Sequence, residues 1–167
     1  MAAVLEFRGV YVEGEGVFSV IIQIPGHCDF TKSIEGWPAV MHEGTLNVKI
    51  DPDGFPQELI SHFGSKSVKH FDSRRFRPEA EIPAQAIGGN TLRPTQACPD
   101  KGNGQVWSAT IIELKSQNSK DCWVFRRIGS GYGDILELVA EESISSALSL
   151  KYGDPVTVLM YGTWADS

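Results

Sequence analysis

The sequence predicts a mainly β protein built as a closed or nearly closed barrel, and three observations carry that expectation. Seven segments alternate or run apolar with many β-branched residues, each is bounded by Gly, Asp, Asn or Ser, and helical spacing occurs only twice and briefly. At 167 residues the chain is long enough for one well-packed domain and short for two, so a single domain over residues 1–167 is expected.

In chain order, Val4 to Val12 and Val17 to Ile24 read as neighbouring strands joined by the Gly-rich turn Glu13-Gly14-Glu15-Gly16. Gly44 to Asp51, Val106 to Leu114, Cys122 to Arg127, Ile135 to Ala140 and Pro155 to Tyr161 follow as strands. Pro56 to Phe63, after the turn DPDG, and Glu142 to Leu150 carry the short helical patterns. The segment from Asp72 to Gly104 differs in texture: Arg74, Arg75, Arg77 and Arg93 stand beside Pro78, Pro83, Pro94 and Pro99, and it reads as an inserted loop with one strand at Ile82 to Ile87.

Composition excludes several classes. No apolar run approaches the roughly 18 residues a membrane helix needs. Fifteen basic against twenty-one acidic residues give a formal charge of -6, which repels a polyanion, so no nucleic-acid partner is expected. Cys28, Cys98 and Cys122 are odd in number and show no CxxC spacing, and the N-terminus enters an alternating strand directly; reduced thiols and a cytoplasmic location are expected. The oligomeric state is open.

One strand carries chemistry on its polar face. In HEGTLNVKI, Leu46, Val48 and Ile50 point to one side, and Thr45, Asn47 and Lys49 to the other. Solvent exposure explains Thr and Lys there, but Asn is a poor strand former. A hydroxyl and an amide oxygen suit a hard cation yet bring no charge, so such a metal would arrive with its own anion. The alternate glycines Gly14 and Gly16 could turn backbone N–H groups toward a phosphate, although a tight hairpin explains them equally well.

Three blocks in order resemble the archaeal-type CTP-dependent riboflavin kinases: Glu13 to Gly16, the string EGTLNVKID from Glu43 to Asp51, and ILELVA followed by a short helix and LKYGDPVTV. The blocks cover a little under half of the chain, and GTLN is the specific one. The resemblance implies a six-stranded Greek-key (cradle-loop) β-barrel and transfer of the γ-phosphoryl group of a nucleoside triphosphate, CTP in that family, to riboflavin with Mg2+. It implies that Gly14, Glu15 and Gly16 hold the nucleotide phosphates, that Thr45 and Asn47 ligate Mg2+, and that Glu137 contacts the flavin. Glu142, Ser143 and Ser145 take the positions of the family's nucleotide segment, with Ser145 where the family carries Arg, and Ser130 is a shifted substitute for a flavin-contacting Thr. The alternative expectation is a small-ligand-binding barrel of the same superfamily without this catalysis.

Overall fold

A computed structural model of the chain describes residues 2–14 and 22–165. Eight strands, β1 (Ala2–Val12), β2 (Leu46–Ile50), β3 (Phe76–Arg77), β4 (Ala80–Ile82), β5 (Gly104–Glu113), β6 (Ser119–Arg127), β7 (Ile135–Val139) and β8 (Pro155–Trp164), form one antiparallel sheet. Six of them close on themselves in the order β8-β1-β2-β7-β6-β5, with β5 pairing back to β8. The protein is therefore mainly β, with a closed six-stranded barrel. β5, β6 and β7 form a meander and β8 returns to lie beside β5, which is the Greek-key arrangement.

Strand alternation builds the core directly. Leu5 and Phe7 of β1, Val48 of β2, Trp107 and Ile111 of β5, Leu138 of β7, and Val158 and Met160 of β8 point into the barrel and are fully buried. Helix α1 (Gln57–Phe63) adds Leu59 to this core and stops at Gly64, whose φ of 74° ends the helix in the left-handed conformation. A 3-10 turn at Val68–Ser73 adds Val68 and Phe71.

A second apolar cluster lies on the outside of the wall. Val106, Trp123, Phe125 and Val139 face outward and are covered by Ile22, Ile24, Ile34, Trp37 and Met41, together with Ile82 and Ile87. Trp37 meets Trp123 edge to face with ring centroids 5.0 Å apart. Strand β6 is buried on both faces for this reason, whereas β2 keeps a polar outer face.

The strand expected over Val17 to Ile24 falls mostly on residues 17–21, which lie outside the described residues; beyond them Gln23 bridges to Gly88. Two other local expectations differ from the fold. Ile82 to Ile87 is not one strand: β4 ends at Ile82, and Ala84–Ala86 form a 3-10 turn behind Pro83, which has no N–H for a sheet ladder. The helix after β7 shortens to α2 (Ile144–Ala147), because the chain turns through Ser149 at φ 52°. The segment 72–104 is stitched to the barrel by β3 on β8 and β4 on β5.

Candidate functional site

The polar face of β2 forms as the alternation demands. Leu46, Val48 and Ile50 are buried, Asn47 is half-buried and Lys49 is exposed. Thr45 stands just before the strand rather than in it, because Gly44 turns the chain at φ 84°, a conformation that favours glycine. The approach is pinned on both sides: the His42 N–H donates to the Ala140 carbonyl at 2.9 Å, and the Gly44 N–H to the Ile22 carbonyl at 2.9 Å.

The Thr45 hydroxyl donates to Asn47 Oδ1 at 3.1 Å, so the two neutral oxygens sit together. An octahedral Mg2+ with ligand distances near 2.1 Å spaces adjacent oxygens about 3.0 Å apart, and the pair matches one such edge. Gly14 is adjacent: a Cβ there would lie 3.2 Å from Asn47 Nδ2, so the first turn approaches this amide closely without a side chain. Glu15 and Gly16 lie outside the described residues. Among the described residues no three His, Cys, Asp or Glu side chains converge as a metal centre.

Cross-strand register extends the polar row. Asn47 is opposite Glu137 of β7, which is opposite Phe125 of β6, and directly opposed side chains share a face. Burial pushes the Glu137 carboxyl above its ordinary range, opposed by the Arg127 and Arg126 guanidinium groups. Arg127 approaches Glu137 Oε1 at 3.8 Å, and both side chains are nearly enclosed.

Thr45 also lines a cleft at the barrel mouth with Glu142, Ser143 and Ser145, the residues of the α2 corner. The Ser143 hydroxyl accepts from the Ser146 N–H at 3.3 Å and so caps α2, while its oxygen lies 3.2 Å from Ser145 Oγ. The acidic pair at this corner is matched by Lys120 of β6, whose Nζ donates to Glu141 at 3.2 Å and Glu142 at 2.9 Å. Tyr11 and His42 line the same cleft, which holds about 80 Å³ of free space.

Ser130 lies away from the Thr45 cleft. It is buried and lines a narrow crevice together with Glu137, Phe71, Arg126 and Tyr132, whose free space is about 10 Å³, too small for a ring system. Its carbonyl accepts from Arg126. Arg126 itself points into the barrel and is consumed structurally, by Asp72 and by the Ser130 and Tyr132 carbonyls.

Sequence reasoning missed Tyr11, His42 and Lys120. Tyr11 follows the inward alternation of β1 and looks like core, and Lys120 gains meaning only through carboxylates far along the chain. No helix among the described residues is long and apolar enough to cross a membrane. No protein-family model matches the chain, and no curated protein matches it in sequence.

Proposed function

We propose that the protein is a riboflavin kinase-like phosphotransferase, moving the γ-phosphoryl group of a nucleoside triphosphate, CTP by resemblance, to the terminal ribityl hydroxyl of riboflavin to give FMN. The observation that carries this reading is the pair of neutral oxygens on Thr45 and Asn47, 3.1 Å apart and directly beside Gly14. Neutral ligands suit an ion that already carries a triphosphate. Thr45 and Asn47 would hold Mg2+, which when bound supplies charge neutralisation to the phosphate oxygens.

The chain's own groups do the rest. Gly14 lets the phosphates approach the backbone without meeting a Cβ, and the residues of the α2 corner flank the nucleotide on the Thr45 side. Lys120 offsets Glu141 and Glu142, which would otherwise repel a triphosphate. Glu137, opposite Asn47, is the carboxylate on the same face.

A second reading, a small-ligand-binding barrel without this catalysis, draws on the modest cleft and on Ser145 where the resembled family carries Arg. Purified protein incubated with riboflavin, Mg2+ and each of the four nucleoside triphosphates separates the two. FMN formation that depends on one nucleotide and on Mg2+ supports the kinase. Absence of FMN with all four supports the binding barrel.

A further inference from the structure

We propose that Arg127 binds the phosphate of the phosphorylated product and so distinguishes it from the unphosphorylated acceptor, an assignment that rests on the phosphotransferase reading above. Strand alternation sends the two adjacent arginines of β6 to opposite faces. Arg126 goes inward and donates to Asp72 Oδ1 at 2.9 Å, Asp72 Oδ2 at 3.3 Å, the Tyr132 carbonyl at 3.1 Å and the Ser130 carbonyl at 3.2 Å.

Arg127 goes outward, onto the face that carries Glu137 and Asn47, and it is poorly matched there. Its side chain is only 13% exposed, yet the Glu137 carboxylate is 3.8 Å away, beyond hydrogen-bond distance, and Asn90 Oδ1 is at the limit, 3.5 Å. Its Nε–H is buried with no acceptor among the described residues. A guanidinium shut away from water normally has its donors filled, because an unmatched buried donor costs about 1–3 kcal/mol. A phosphate is the acceptor that a planar fork of donors fits best. Phe125 is the direct partner of Glu137, and Arg127, two residues farther along β6 on the same face, reaches Glu137 diagonally, so its guanidinium stands beside the Glu137 end of the face that also carries Asn47.

The test compares FMN and riboflavin binding by flavin fluorescence titration in wild type, Arg127→Gln and Arg127→Lys. The readout is the ratio of the two dissociation constants, which loss of folded protein leaves unchanged because it weakens both alike. Losing a charge-assisted fork should shift the ratio against FMN by about tenfold in Arg127→Gln, with Arg127→Lys in between. If Arg127→Gln does not fold by circular dichroism, the Arg127→Lys ratio decides. A ratio equal to wild type in the folded variant overturns the role of Arg127 alone. Wild-type protein that binds neither flavin overturns the phosphotransferase reading together with it.

Discussion

Asn47 is the residue whose presence the fold explains least. It occupies a strand position where Val would gain up to about 1 kcal/mol of β propensity, and its amide oxygen is turned to the Thr45 hydroxyl rather than to any backbone group. Asn47→Val should therefore melt at the wild-type temperature or slightly above, while FMN formation collapses. A variant that melts normally and keeps full activity would remove the metal-ligand assignment. The cysteines separate on similar grounds. Burial pushes the Cys122 thiol up to about 12, while Cys28, despite an opposing burial effect, is held below its ordinary value by hydrogen bonds from Thr31 and Phe30. A thiol reagent at pH 8 should label Cys28 in native protein and reach Cys122 only after denaturation; equal labelling rates would contradict the packing around β6.

At the scale of elements, the 3-10 turn Val68–Ser73 is tied to β6 by one ion pair. Arg126 is 5% exposed, and Asp72 also accepts from the Gly129 N–H at 3.1 Å. The Asp72 side chain is 30% exposed, so the pair is partly screened, and removing its carboxylate from the buried Arg126 should lower unfolding stability in Asp72→Ala by about 2 kcal/mol. Chemical denaturation measures this, and a loss below 1 kcal/mol would mean that the Ser130 and Tyr132 carbonyls suffice for Arg126. The same turn brings Phe71 into the barrel and takes the Gln105 amide on its carbonyl at 2.9 Å, so the pair anchors the plug at one end of the barrel.

For the whole molecule, the carboxylates set the response to acid. Hydrogen bonds from Arg74 hold Asp100 below its ordinary 3.8, the Ser116 hydroxyl lowers Glu113 from 4.5, and the Lys151 N–H lowers Asp154. The unfolded chain then binds more protons than the folded one as pH falls, so this stabilisation is full above about pH 4.5 and is lost as pH drops through the folded values. Glu137 acts in the opposite sense: burial raises it, its contribution is complete below 4.5 and fades as pH rises through its folded value. Four lowered carboxylates, these three and Glu141, whose own backbone N–H and Lys120 hold it down, stand against one raised and predict a melting temperature that declines steadily from pH 4.5 to pH 3. A flat or rising profile over that interval would show that these carboxylates are not held below their ordinary values in the folded protein.

The local pattern was sufficient for what depends on a period of two. It determined the strands that became β1, β2 and β5 to β8, the inward set Leu46, Val48 and Ile50, and the shared face of Thr45 and Asn47, because side-chain direction alternates whatever the strand pairs with. Barrel closure decided the neighbours. β1 took β8 and β2 as partners, Asn47 came opposite Glu137, Lys120 met Glu141 and Glu142, and Arg126 met Asp72 while Arg127 was left short of acceptors. These contacts join residues far apart in the chain, and no periodicity records which edge a strand will find. Register is set by burying both faces of β6 and one face of β2 at once, a condition that exists only when the whole wall is assembled.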